Sequence, residues 1–380
     1  MDNAHILEQT IGIPFSKGNS VSILKNGDQI FPAMLNAIQD ATDSIDFLTF
    51  VYWQGDIADR FAEALSCKAK EGLAVRVLLD AYGSLPMNQE LVELMKSSGV
   101  KVVWFRPLIR WKIWKTDNRT HRKILICDNR IAFTGGVGIA KEWEGNALNS
   151  SEWRDTHFKI EGPAVYGIKS AFIENWIEAN DELSLALVSD ETPNNTGNSL
   201  IQTVRTSSSV RWSDIVLLYQ SLIALAKNRV WICTAYFNPD DAMIALISQK
   251  VKEGVDIKIM IPGNHTDQRI SKVIAEDSFE ALLKAGVNIY YYTKTMLHSK
   301  VVLVDEEYSC IGSANFNQRS MLKDDEINLV IIDSKVSNIL SDHFEEDLSC
   351  SDKLEKSRWK KRSLIRKGIE KLTRLVKQEL

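Results

Sequence analysis

The sequence predicts an α/β chain of two pseudo-two-fold-related halves with largely parallel sheets. Three observations carry this prediction. The chain repeats itself, each copy alternates strands with helices, and a polar joint separates the copies. AKEGLAVRVLLD (Ala69–Asp80) resembles VKEGVDIKIMIP (Val251–Pro262), and SSGVKVVWF (Ser97–Phe105) resembles KAGVNIYYY (Lys284–Tyr292). Upstream of each pair lies a further strand-like run, DSIDFLTFVYW (Asp43–Trp53) and KNRVWICTAYF (Lys227–Phe237).

In the first copy, helix 29–41 leads to strand 44–52, helix 56–71 to strand 73–80, and helix 87–98 to strand 100–105. Such alternation implies βαβ units and parallel pairing. SDETPNNTGNS (Ser189–Ser199) is polar, with Pro and Gly, and marks the joint. Three regions are therefore expected: a half over 1–190, a second over 200–350, and a basic tail over 351–380. In a duplicated unit the functional site is expected where the halves meet.

The composition is that of a globular protein, with 380 residues, 44% hydrophobic and 25% charged. No run of about 18 apolar residues suggests a membrane span. The opening MDNAHILEQTIG lacks the basic and apolar regions of a secretory signal. The five cysteines show no CxxC spacing and are expected as reduced thiols, with Cys127, Cys233 and Cys310 in apolar strand-like runs. The net charge of −4 is uneven: residues 353–380 carry eleven Lys/Arg against three acids, which leaves −12 on the rest. Ile365, Ile369, Leu372 and Val376 form a helical stripe in that tail. It reads as a basic amphipathic helix, suited either to an anionic membrane surface or to docking on the acidic body.

Each half carries the pattern H-x-K-x-x-x-x-D, first as His121, Lys123 and Asp128, then as His298, Lys300 and Asp305. Each is followed by a small-residue turn, Gly135-Gly136 and Gly312-Ser313. In a strand, His and Lys two apart share a face. Across a pseudo-dyad, two such pairs converge on one pocket. The lysines can neutralise phosphodiester oxygens. One histidine can attack phosphorus and the other can shuttle the proton. A lone copy is weak, but two in register are specific. No P-loop, GxGxxG, HExxH or zinc-spaced cluster appears, and no metal or cofactor is expected. His5, His157, His265 and His343 have no partnered pattern and are read as structural or solvated.

These paired motifs resemble the phospholipase D superfamily. THRKILICDNRIAFTGGVGIAKEWEG (Thr120–Gly145), SEWRDTHFKIEGPAV (Ser151–Val165) and LHSKVVLVDEEYSCIGSANFNQRSM (Leu297–Met321) are similar to bacterial cardiolipin synthases. The resemblance covers roughly residues 20–375 and implies two α/β/α halves with mixed, largely parallel sheets. It implies His121 as nucleophile and His298 as acid, with Lys123 and Lys300 on the phosphoryl oxygens. Gly136, Ser313 and Asn315 would line the pocket. Asp155 and Glu326, the acids that follow the two motifs, would each orient the histidine of its own motif, while Asp128 and Asp305 would be structural. The chain departs from the family pattern in two places. Gly138 stands at the position equivalent to Asn315, and Asp324 stands where the family often has Asn. Both bear on pocket asymmetry and acceptor choice.

RPLIRWKIWKTDNRTHRK (Arg106–Lys123) interleaves Trp111 and Trp114 with cations and runs into His121. It suits a lipid interface, a nucleic-acid backbone or a packed lid. The expected activity is transfer of phosphatidyl from one phosphatidylglycerol to a second, through a phosphohistidine, giving cardiolipin and glycerol. The alternatives are hydrolysis to phosphatidic acid and metal-independent nuclease action. The acidic body argues against nucleic acid. The expected location is peripheral, on the cytoplasmic face of the cell membrane.

Overall fold

A computed structural model describes residues 3–107, 118–180, 193–207, 213–267, 269–356 and 359. After helix α1 (Asn3–Ile11), the first half runs β1 (Ser16–Lys25), α2 (Asn26–Asp40), β2 (Ser44–Thr49), α3 (Asp56–Lys70) and β3 (Ala74–Asp80). It continues with α4 (Gln89–Ser97), β4 (Lys101–Phe105), β5 (Ile124–Cys127), β6 (Ile131–Gly135), β7 (Thr156–Glu161) and α5 (Val165–Asn180). The second half repeats this plan as β8 (Ser199–Thr206), α6 (Asp214–Leu225), β9 (Arg229–Cys233), β10 (Phe237–Asn238), α7 (Asp241–Lys252) and β11 (Asp256–Pro262). Then come α8 (Arg269–Ala285), β12 (Asn288–Tyr292), β13 (Val301–Val304), β14 (Tyr308–Gly312), β15 (Phe316–Asn317), α9 (Gln318–Leu322), β16 (Glu326–Ile332), α10 (Ser334–Ser349) and β17 (Ser351–Lys353).

The first-copy elements fall within three residues of their expected bounds. Their ends have local causes. Asn88 caps α4 by accepting the Glu90 N–H at 3.0 Å. β2 stops at Thr49, whose hydroxyl donates to Val51 O at 2.9 Å and turns the chain.

Among the described residues, fifteen strands form one sheet in the order β17-β12-β11-β9-β13-β14-β16-β8-β1-β7-β6-β5-β2-β3-β4. Read outward from β1 and β8, the two halves have the same order, so the pseudo-dyad passes between those strands. The sheet is mixed, as expected, but its parallel part is smaller than the alternation suggests. β2, β3 and β4 run parallel, as do β9, β11 and β12. The ladder from β2 through β5, β6, β7 and β1 is antiparallel, as is its counterpart from β9 to β8. The reason is connection length. β5 and β6 are joined by only Asp128–Arg130, too short for a parallel crossover. The two halves share one continuous sheet, because β1 and β8 pair across the seam.

One core lies under α2, α3 and α4, with Phe31, Phe61 and Leu65 buried against Phe47 and Val77. Another lies under α6, α7 and α8. The third is common to both halves: Phe158, Phe172 and Trp176 join Trp231, Leu303 and Phe344 beneath α5 and α10. Cys127, Cys233 and Cys310 are buried and free, as their apolar runs imply. Among the described residues no helix is long and apolar enough to cross a membrane. The tail expected as a helix from 351 instead begins with strand β17, paired antiparallel to β12. The Ile365–Val376 stripe lies outside the described residues, and so do residues 189–192 of the joint.

Candidate active site

His121 and Lys123 precede β5, and His298 and Lys300 precede β13. They sit on extended lead-ins, not within the strands themselves. Each lead-in pairs in parallel with the segment ahead of an acid in the opposite half: Thr120 with Asp325, and Leu297 with Arg154. The His121 N–H donates to Asp325 O at 2.9 Å, and the His298 N–H donates to Arg154 O at 2.7 Å. Two-fold pairing of this kind brings both motifs to one seam. Extended backbone still places each lysine beside its histidine. Lys123 Nζ donates to His121 O at 2.7 Å, and Lys300 Nζ donates to His298 O at 2.5 Å.

The acids serve crosswise. His121 Nδ1 lies 2.9 and 3.1 Å from the two Glu326 oxygens, and His298 Nδ1 lies 2.8 Å from Asp155 Oδ2. This corrects the expectation that each acid orients the histidine of its own motif. The parallel bridges carry each acid across the seam to the other half's imidazole. A carboxylate at Nδ1 selects the tautomer with the proton on Nδ1, which leaves Nε2 with its lone pair. Each acid has further donors, which for Asp155 include the Thr156 N–H at 2.8 Å on Oδ1. Ser313 donates its hydroxyl to Glu326 Oε2, and the Trp143 indole N–H donates to Asp155 Oδ2 at 2.9 Å.

All four motif side chains are buried. Burial lowers His121 to about 4, with Glu326 opposing. Burial, with Lys300 adding to it, lowers His298 to about 3. Both imidazoles are thus neutral near pH 7. Burial also brings Lys123 down to about 7 and Lys300 to about 8. An anionic phosphate between them would restore their charge. Burial works to raise Asp155 and Glu326, but the neighbouring histidines and lysines outweigh it and hold both below the ordinary carboxylate range.

Asp128 accepts from the amides of Thr42, Asp43 and Ser44, and Asp305 from those of Lys227, Asn228 and Arg229. Each ties its motif strand to the start of the neighbouring strand. Gly136 packs directly on Asp155: a Cβ there would lie 2.4 Å from Oδ1. Asn315 is buried, and its Oδ1 has no partner among the described residues. Trp111 and Trp114 lie outside the described residues. Asp324 is buried at the seam, where it pairs with Arg319 at 3.0 Å and accepts the Arg119 N–H at 3.3 Å. His157 is buried two residues after Asp155. Among the described residues no three His, Cys, Asp or Glu side chains form a metal-ligand set.

Three aromatics at the site escape sequence reasoning. The Phe50 ring stands edge-on to His121 at 5.2 Å. Trp143 and Trp153 both pack on His298 at 5.2 Å. All three lie within runs quoted from the sequence, but no repeat or spacing pattern singles them out there, and only the fold sets them against the histidines.

The family described as "Cardiolipin synthase, PLD-like domain" matches residues 34–151 and 219–348. Cardiolipin synthase 1 of Bacillus cereus is 33% identical over 384 residues, covering 98% of this chain and 74% of that protein. Cardiolipin synthase of Clostridium perfringens is 31% identical over 368 residues, covering 95% of this chain and 77% of that one. The fold is similar to that of phosphatidylserine synthase from Haemophilus influenzae, with a TM-score of 0.73, 14% identity and full coverage of both chains. With matched segments that span both repeats, and relatives aligned over nearly its whole length, this chain belongs to the cardiolipin synthase PLD-like family of the phospholipase D superfamily.

Proposed function

We propose that this chain is a phosphatidyltransferase that makes cardiolipin from two phosphatidylglycerol molecules. The observation that carries the reading is one seam holding two His–Lys pairs, each imidazole backed by a carboxylate from the other half. His121 Nε2 attacks the phosphorus of the first lipid, and the P–O bond to the headgroup glycerol breaks. His298, charged against Asp155 once the anionic substrate is bound, gives the leaving oxygen its Nε2 proton. Glycerol departs, and phosphatidyl remains on His121. His298 then takes the proton from a hydroxyl of the second phosphatidylglycerol. That oxygen attacks phosphorus, the P–N bond breaks, and His121 is regenerated. Lys123 and Lys300 neutralise the non-bridging oxygens throughout. The basic tail and the Trp/Arg loop hold the chain at an anionic lipid surface.

The test is mass spectrometry of products from phosphatidylglycerol vesicles with EDTA present, comparing wild type with His121→Ala. Cardiolipin and glycerol from wild type alone support the reading. Phosphatidic acid without cardiolipin makes the chain a hydrolase, and unchanged lipid rejects a role on phosphatidylglycerol.

A further inference from the structure

The two halves hold their acids by different means. In the second half the small-residue turn ends in Ser313, whose hydroxyl donates to Glu326 Oε2. At the equivalent turn in the first half stands Gly136, where even a Cβ would lie 2.4 Å from Asp155 Oδ1. The hydroxyl solution is therefore blocked there by space. The side-chain N–H donor that replaces it is the indole of Trp143, at 2.9 Å on the same Oδ2 that faces His298 Nδ1, while the Thr156 backbone N–H holds Oδ1 at 2.8 Å.

The surroundings of Trp143 are fitted to this contact. The side chain is 2% exposed. Its ring is edge-on to His298 at 5.2 Å and against Trp153 at 4.4 Å. Gly138 gives it room. A Cβ at Gly138 would lie 3.3 Å from the Trp143 ring and 2.7 Å from Val51 Cβ. A side chain like that of Asn315, at the equivalent place in the other half, would not fit. Gly27 lets α2 close on the Trp143 carbonyl, where a Cβ would come within 2.0 Å. Gly136, Gly138 and Gly27 thus form one arrangement with the tryptophan.

We propose that Trp143 is a positioning residue for the reaction, holding Asp155 in the orientation that aims His298 and doing for the first half's acid what Ser313 does for the second's. It touches no reacting atom. It acts through Asp155, whose titratable neighbours are His298, Lys300 and Cys233 across the seam and Lys123 and His157 from its own half. Without the indole N–H, the Asp155 charge falls more fully on His298, and the imidazole becomes easier to protonate and freer to turn.

The proposal rests on the phosphatidyltransfer reading for its kinetic test and on geometry alone for its spectroscopic one. Trp143→Phe keeps a ring and removes the donor. With phosphatidylglycerol vesicles, kcat should fall about tenfold to a hundredfold, the scale of one hydrogen bond to a charged group, with KM within about twofold. The limb of the kcat profile set by His298 should move to higher pH. In nitrogen-15 spectra of histidine-labelled protein, the His298 resonances should shift and those of His121 should not. Trp176→Phe, equally buried in another core, is the control for lost volume and should leave kcat unchanged. Equal kcat in the two variants with an unmoved His298 spectrum overturns the proposal. If Trp143→Phe does not fold, the indole proton of wild type is compared with that of Asp155→Asn. A resonance that moves upfield supports the contact, and an unmoved one refutes it. If wild type makes no cardiolipin, the transfer reading fails while the spectra still decide the role of Trp143.

Discussion

At the scale of single residues, Ser313 bridges two demands. Its hydroxyl donates to Glu326 while accepting the Ile327 N–H at 3.1 Å. Ser313→Ala should lower kcat about tenfold, the lower end for a bond to a charged group, with little change in KM. Steady-state kinetics on phosphatidylglycerol vesicles checks this. Asp324 yields a pH prediction. Burial raises its carboxyl to about 7, with Arg319 opposing. The unfolded chain releases this proton near the ordinary Asp value of about 3.9. Between those values the folded state binds more protons, so this group lowers stability as pH rises through the window. Asp324→Asn removes that effect. Its Tm should therefore gain on wild type progressively from about pH 4 to 7, as measured by thermal scans across that range. Were the difference flat or shrinking, Asp324 would not be a strained buried acid.

At the scale of elements, the short bridges across the seam matter more than the long ladders. Thr120–Asp325 and Leu297–Arg154 carry the histidines to their acids. Arg154 is anchored in turn by Asp347 of α10, with contacts of 3.0, 3.0 and 2.9 Å, and also donates to Asp155 O at 2.6 Å. Both partners are buried. Asp347→Ala leaves a buried guanidinium unpaired and should cost about 3 kcal/mol or more. Activity should fall too, because Arg154 adjoins Asp155. Urea unfolding and kcat on the same sample test both parts. The helices and outer strands were legible in the sequence because propensity, periodicity and caps are local. Asn88 at α4 and Asp240 at α7 are such caps. The antiparallel centre was less legible, since β5 and β6 are short apolar runs whose direction depends on what they join.

At the scale of the whole molecule, the site exists only with both halves in place. His121 takes its acid from Glu326, and His298 takes its own from Asp155. The common core under α5 and α10 and the β1–β8 pairing weld the halves within one chain. Mixing His121→Ala with His298→Ala protein should therefore restore no cardiolipin formation, because neither chain contains a complete site. Recovery of activity on mixing would mean that halves exchange between chains.

The sequence alone determined the duplication, the α/β alternation and the two His–Lys pairs, and its resemblance to the superfamily pointed to both acids. Repeats and polar motifs are properties of residue order, and a residue's chemistry is visible wherever it stands. The tertiary structure decided which acid serves which histidine. It also decided that Trp143 replaces a hydroxyl, and that Gly136 and Gly138 are spaces reserved for Asp155 and Trp143. Those facts depend on close approach between segments far apart in the chain. Only the folded seam, with its parallel bridges and fixed volumes, brings them within hydrogen-bond distance.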